Sequence, residues 1–181
     1  MKKKVGLWQL CGFAVTSLGG TLLHFLYEWL GQALWIAPIS GVNESTWEHM
    51  KLLFFPALVF ALVQSLFFRD YNDFWYVKLR GITFGLALIP IIFYTYNGVI
   101  GHSPDWINVA IFFVSAAAMY LYEIRLFGQS KGESADSRGR LNLRLACLTA
   151  LCVIGVLFIV FTFKTPEIGI FKDPLTGSYG I

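Results

Sequence analysis

A chain of 181 residues that is 56% hydrophobic and only 14% charged cannot bury its apolar side chains in one soluble core, so the bilayer must form part of its solvent. The net charge of +3 comes mostly from loop ends, which indicates membrane topology and argues against a nucleic-acid partner. Composition therefore predicts a multi-pass protein of the cell membrane that has the lipid bilayer as its surroundings.

Five segments are long and apolar enough to span a membrane, which requires about 20 largely apolar residues. They predict an all-α, polytopic transmembrane bundle that forms a single integral membrane domain over residues 1–181. The spans are expected near residues 6–30, 47–68, 79–100, 105–127 and 144–163. The polar stretch 128–143 reads as a cytoplasmic linker. Residues 164–181 read as an outer tail that either folds back over the bundle or stays loose in solvent.

Basic residues gather in alternate loops. Lys2, Lys3 and Lys4 precede the first span, whereas the loops 31–46 and 101–104 contain no lysine or arginine. By the positive-inside rule, the N-terminus is expected in the cytoplasm and, with five spans, the C-terminus outside.

Two features of the third and fourth spans concern packing. Gly81 and Gly85 form a small-residue face that allows another helix to approach closely, and we expect packing within the bundle to use it. Glu123 and Arg125 lie near the cytoplasmic end of the fourth span, where we expect them to anchor the helix at the interface.

Ionisable residues recur at the outer end of the first span. His24 and Glu28 are four residues apart, so they lie on one helix face and can touch. That face is expected to point into the bundle, because ionisable groups in contact with lipid cost at least about 2.5 kcal/mol near the bilayer centre.

The second span opens with the sequence NESTWEHMK, which is unusually polar. Ser45 and Glu48 have the spacing of a capping box, and Lys51 can pair with Glu48 one turn later. These structural roles leave Glu44 and His49 unexplained.

The end of the third span brings further polar groups to the same outer boundary, namely Tyr94, Asn97 and His102. His24, His49 and His102 are therefore candidate ligands for zinc or another divalent metal, since imidazole and carboxylate suit such ions. Glu44, Asn97 and Tyr94 are expected to line the same pocket. The spacing is not that of an HExxH motif, and a hydrogen-bonded structural network of these groups is an open alternative.

Three kinds of function fit this pocket. In the first, a bound metal lowers the pKa of a water to about 7 and Glu48 or Glu28 acts as general base toward a lipid-like ester or amide. In the second, the pocket is the outer mouth of a path for an ion or small solute, although only Gln64, Thr83 and small residues of the first span could extend it inward. In the third, the chain is an accessory subunit of a membrane complex, whose protein partner the sequence does not identify.

Four strings carry a resemblance to a known family: NESTWEHMKLLFFP (43–56), LLHFLYEW (22–29), IPIIFYTYNGVIG (89–101) and FKDPLTGSYGI (171–181). They resemble a DUF6512-like family of small multi-pass prokaryotic membrane proteins of unknown function. The resemblance covers nearly the whole chain except the linker at 128–140. It implies a compact helical membrane protein and carries no activity.

A second likeness concerns only the kind of site. Membrane-embedded zinc hydrolases of the alkaline ceramidase type also gather three histidines among their helices. This chain has five predicted spans where those enzymes have seven, and it lacks their paired-histidine helix motif, so no catalytic role is carried over.

Overall fold

The computed structural model describes residues 2–101, 104–129 and 137–181. These residues form five long helices: α1 (Lys2–Trp29), α2 (Thr46–Phe67), α3 (Phe74–Ile100), α4 (Asp105–Gln129) and α5 (Ser137–Phe163). A single 3₁₀ turn, Gly169–Phe171, follows α5. The described residues contain no strand, only an isolated bridge between Lys172 and Tyr179. The predicted all-α class with five helices is confirmed.

All five helices are long and apolar enough to cross a membrane. The shortest, α2, has 22 residues, which at 1.5 Å per residue spans the roughly 30 Å hydrocarbon core. Residues 137–143 were expected in the linker, but they belong to the first turns of α5. A spanning helix continues beyond the hydrocarbon into the polar boundary, where its charged residues remain solvated.

Helix α2 lies at the centre of the bundle. It packs against all four other helices, while α1 also contacts α4, and α3 contacts both α4 and α5. Half of the apolar stretch of α2 is buried inside the protein, compared with 22% for α5. Large apolar side chains such as Leu18 and Val109 are exposed on the outer faces of the bundle. These faces suit contact with lipid chains.

Helices α3 and α4 approach each other closely at two glycines, as the small-residue face predicted. A Cβ atom added to Gly81 would collide with the side chain of Glu123, and one added to Gly85 would lie 3.0 Å from the Cβ of Met119. Because glycine has no side chain, these two positions leave the space into which α4 packs.

The expectation that Glu123 anchors α4 at the interface is wrong. Glu123 is fully buried, and its Oε2 lies 2.6 Å from the Nζ of Lys78 on α3. Rings of Phe60, Phe74 and Tyr120 surround the ammonium at 5.4–5.8 Å from their centroids. Because α3 and α4 face each other here, each charge is neutralised by the other inside the bundle, and neither reaches the interface.

The tail after α5 folds back over the end of the bundle, which decides between the two expectations for it. The ring of Phe171 packs against those of Trp47 and Phe161, with centroids 4.7 and 5.4 Å away. The side-chain amide of Asn43 donates to the carbonyl of Gly180 at 3.0 Å. The tail therefore covers the start of α2, where the candidate residues lie.

Candidate metal centre

The loop between α1 and α2 is pinned back onto the end of α1. Buried Ser40 accepts a hydrogen bond from the backbone N–H of Tyr27 at 3.0 Å and donates to the carbonyl of Leu23. The N–H of Gly41 donates to the same carbonyl at 3.2 Å. These bonds return the chain to the turn of α1 that carries His24, so the residues that follow Gly41 lie beside that imidazole.

The start of α2 is fixed by its own cap. The hydroxyl oxygen of Ser45 accepts the N–H of Glu48 at 3.4 Å, as the capping box predicted. The carboxylate of Glu48 does not complete the box, because the N–H of Ser45 donates instead to the side chain of Asn43 at 2.9 Å. This cap places His49 on the first turn of α2, with its Nδ1 3.0 Å from the carbonyl oxygen of Ser45.

Three residues form a cluster at this end of the bundle, here called the His/Glu cluster: His24, Glu44 and His49. Glu44 lies between the two imidazoles, with Oε1 3.6 Å from Nε2 of His24 and Oε2 3.6 Å from Nε2 of His49. One potential ligand atom from each residue lies within 4.8 Å of the other two. The side chain of His49 is 13% exposed and that of Glu44 is 35% exposed, so a small ligand can reach the cluster.

The hydrogen bond of His49 determines which ring nitrogen faces Glu44 as an acceptor. A carbonyl oxygen can only accept a hydrogen bond, so Nδ1 of His49 must carry the proton that it donates to Ser45. In the neutral ring, the lone pair is then on Nε2. A backbone carbonyl that orients an imidazole in this way is the usual partner of a metal-binding histidine. The lone pair of Nε2 and the carboxylate of Glu44 therefore face each other with no hydrogen bond between them.

Glu48 lies outside the His/Glu cluster. Its Oε2 is 2.5 Å from the Nζ of fully buried Lys51 and accepts the backbone N–H of Val42 at 3.1 Å. Lys51 also donates to the carbonyl of Ala37 and to the hydroxyl of Thr162 on α5, at 2.8 and 3.0 Å. This ion pair fastens the loop before Glu44 to α2 and α5.

The remaining predicted residues are only partly gathered. Glu28 is exposed and lines a cavity of about 210 Å³ together with His24 and Glu44. Asn97 donates to the carbonyl of Phe93 in its own helix at 3.1 Å, and Tyr94 is exposed. Neither Asn97 nor Tyr94 is among the residues that line the cavities beside the cluster. The third predicted ligand, His102, lies outside the described residues.

The His/Glu cluster stands between two unlike cavities. The cavity that contains Glu28 is lined mostly by the polar loop. The other, of about 190 Å³, lies between α1, α2 and α4 and has both His24 and His49 in its wall among mainly apolar residues. Its lining residues Phe25 and Val109 are exposed on the outside of the bundle, so this cavity reaches the lipid-facing surface.

Two residues beside the cluster were missed from the sequence. Asp173, in the folded-back tail, accepts the N–H of Glu44 at 3.5 Å. Asn108, on α4, lines a small cavity with Glu44 and His49. A polar residue in the first turn of an apolar span was a signal that could have identified Asn108. The sequence KDPLTG around Asp173 indicated a turn but not its position.

The fold and the cluster define a multi-pass helical membrane protein with two histidines and a glutamate gathered at one end of its bundle. The whole chain, residues 1–181, matches the model of the Family of unknown function (DUF6512). The chain belongs to that family, which confirms the resemblance seen in its sequence. No curated protein and no solved structure matches the chain.

Proposed function

We propose that the protein binds zinc or a similar divalent ion at His24, Glu44 and His49 and uses it to hydrolyse a lipid-like substrate at the membrane boundary. The observation that carries this proposal is the spacing of the His/Glu cluster. Two imidazole nitrogens each lie 3.6 Å from a different oxygen of one carboxylate.

That spacing suits a shared ion better than direct hydrogen bonds. A hydrogen bond would bring nitrogen and oxygen to about 2.7–3.2 Å. Two ligands of one tetrahedral zinc, each about 2.0–2.1 Å from the metal, lie about 3.3–3.4 Å apart. Two histidines and one glutamate are also the ligand set of a known class of hydrolytic zinc sites, which keep a fourth position open for water or substrate.

The two cavities support an amphiphilic substrate. An acyl chain can occupy the apolar cavity, which reaches the lipid-facing surface beside Phe25. The ester or amide would then lie at the histidines in its wall, with the head group in the polar cavity. A bound zinc would supply a water that ionises near neutral pH. We assign the general-base role to Glu28, because it lines the polar cavity with His24 and Glu44, whereas Glu48 pairs with Lys51.

Orientation and location are part of the proposal. The lysines at the start of α1 and the arginines beside α2 and α5 favour a cytoplasmic N-terminus by the positive-inside rule. The His/Glu cluster and the folded-back tail would then face the outside of the cell membrane.

Elemental analysis of the detergent-purified protein, paired with a screen of lipid ester and amide hydrolysis, tests the proposal. We expect about one divalent ion per chain, lost in His24→Ala and His49→Ala, and hydrolysis that Glu28→Gln lowers without loss of the metal. Tyr94→Phe is the matched control outside the cluster and should change neither readout. Metal-free protein, or a metal content unchanged in both histidine variants, would rule the site out.

A second candidate function is transport of an ion or small solute. It is favoured by buried polar residues on α1 that continue from His24 toward the N-terminus of the helix. Along α1, Ser17, Thr16 and Gln9 are buried, and the hydroxyl of Thr16 lies 2.7 Å from that of Tyr120. Of the residues read from the sequence for this route, Gln64 is buried, whereas Thr83 is exposed and bonds to its own helix. Liposomes with the purified protein should conduct protons or zinc, and less so with Thr16→Val, if transport is the function. Absence of flux would remove this candidate.

A further inference from the structure

A cavity of about 600 Å³ lies at the end of the described bundle opposite the His/Glu cluster. It is bordered by the last turn of α2 and the residues after it, the first turn of α3 and the first turns of α5. Three arginines line it, Arg69, Arg140 and Arg144, together with aromatic residues that include Tyr71 and Trp75. We call it the basic cavity.

The basic cavity concentrates one sign of charge. Arg140 and Arg144 are four residues apart on α5, so they share one helix face, and Arg69, which follows α2, lines the same cavity. Among the described residues that line the cavity there is no aspartate or glutamate. Asp70, which is next to Arg69 in sequence, is not among these lining residues. A positive cytoplasmic surface requires basic residues but does not require them to converge on one concave site.

We propose that the basic cavity binds the phosphate of an anionic phospholipid head group. Guanidinium groups bind phosphate oxygens through paired N–H donors, and basic pockets between spanning helices are known to take such head groups. The lining residues Leu66 and Leu141 are 60% and 54% exposed, so apolar side chains border the same cavity where acyl chains would continue. These neighbours favour a lipid over a soluble phosphate.

Native mass spectrometry of the delipidated, detergent-purified full chain tests this site. The probes are phosphatidylglycerol, phosphatidylcholine and inorganic phosphate. Arg140→Gln/Arg144→Gln removes two arginines of the cavity. Arg80→Gln/Arg125→Gln is the matched control, because it removes the same charge outside the cavity, where Arg80 bonds the hydroxyl of Tyr76.

We expect phosphatidylglycerol to bind at least about 10-fold more tightly than phosphatidylcholine. The cavity variant should lose roughly 10- to 30-fold in affinity, since each arginine near a membrane surface contributes a factor of about five. The control should bind as the unmodified protein does. Arg69→Lys keeps the charge but removes the paired donors, so it should weaken binding even if the double variant fails to fold.

Three results would overturn the proposal. The first is equal binding of the anionic and zwitterionic lipids by the unmodified protein. The second is equal loss in the cavity variant and the matched control, which would indicate a general charge effect. The third is binding of millimolar inorganic phosphate that equals binding of the lipid, which would assign the cavity to a soluble anion.

Discussion

Two of the groups of charged or chargeable residues in the described part of the bundle differ in how closely their members meet. Lys78 and Glu123 touch at 2.6 Å and are sealed from solvent by aromatic rings. In the His/Glu cluster, His24 and His49 each lie 3.6 Å from Glu44, beside two cavities. The first group pairs its charges directly, while the second holds its nitrogen and oxygen atoms beyond hydrogen-bond distance.

Under the proposed function, the difference separates a structural role from a binding role. A fully buried pair in contact cannot exchange a ligand with solvent, so its contribution is to hold α3 against α4. A partly exposed cluster of imidazoles and a carboxylate can exchange a ligand with its surroundings. The same comparison distinguishes Glu48, which is in contact with buried Lys51, from Glu44, whose nearest basic neighbours among the described residues are the imidazoles of His24 and His49 at 3.6 Å.

The largest effect is expected from breaking the buried pair. Glu123→Gln leaves the ammonium of Lys78 inside the bundle without its counter-charge, and we expect a loss of about 3–5 kcal/mol in the free energy of unfolding. Unfolding in mixed detergent micelles measures it. The double variant Lys78→Met/Glu123→Leu should regain most of the loss, because neither charge then remains buried. A single variant as stable as the unmodified protein would contradict a sealed pair.

Substitutions in the His/Glu cluster should lower the affinity for zinc and hardly change the free energy of unfolding. Glu44→Gln removes the carboxylate between the imidazoles, and we expect zinc affinity to fall by about 100-fold or more. Loss of a residue that only hydrogen-bonds to a metal ligand already lowers metal affinity by about 10- to 100-fold. Competition with a coloured chelator measures the affinity. The free energy of unfolding without metal should change by less than about 1 kcal/mol, because Glu44 is partly exposed. Glu28→Gln should retain zinc, and similar losses in both variants would argue against a ligand role specific to Glu44.

A smaller effect tests how the buried pair is accommodated. Gly81→Ala places a methyl group against the side chain of Glu123, and we expect a loss of about 1–3 kcal/mol from overpacking. Gly98→Ala is the control on the same helix, where nothing lies within 4 Å of an added Cβ. Its stability should be unchanged or higher by up to about 1 kcal/mol, from helix propensity. Equal effects at both glycines would show that the close approach of α4 is not the cause.

The smallest effect concerns the tail that covers the cluster. Asp173 accepts the N–H groups of Leu175 and Thr176 at 2.7 and 3.2 Å. Asp173→Ala should weaken the docking of the tail by about 1–2 kcal/mol and speed its cleavage by proteases. Leu175→Ala, which changes an exposed side chain, is the control. Cleavage at the rate of the unmodified protein would show that the turn does not hold the tail.

The helices and their class could be predicted from the sequence because hydropathy is a local property of about 20 residues. The cap at Ser45 and the pair of Glu48 with Lys51 were also predictable, since their partners lie within one turn. Glu44 was recognised as unexplained by capping, but its position between two histidines depends on how Ser40 returns the loop to α1. That return is a tertiary contact that no spacing reveals.

The buried pair of Lys78 and Glu123 was not predicted from the sequence, because its partners lie on different helices. Lys78 and Glu123 are 45 residues apart, and each looks like an interfacial residue when its own span is read alone. Their burial follows from the close contact of α3 and α4 at Gly81, which the small-residue face indicated without naming the residue opposite. Helix rotation within a bundle is set by all the neighbours together, so a single span does not determine it.

Zinc X-ray absorption spectroscopy of the purified, zinc-loaded protein tests the His/Glu cluster most directly. A metal centre at His24, Glu44 and His49 predicts nitrogen and oxygen ligands at about 2.0–2.1 Å with the outer-shell scattering of two imidazoles. Glu44→Ala should remove one oxygen ligand. A spectrum of freely hydrated zinc, or one with sulfur at about 2.3 Å from a cysteine, would contradict the assignment.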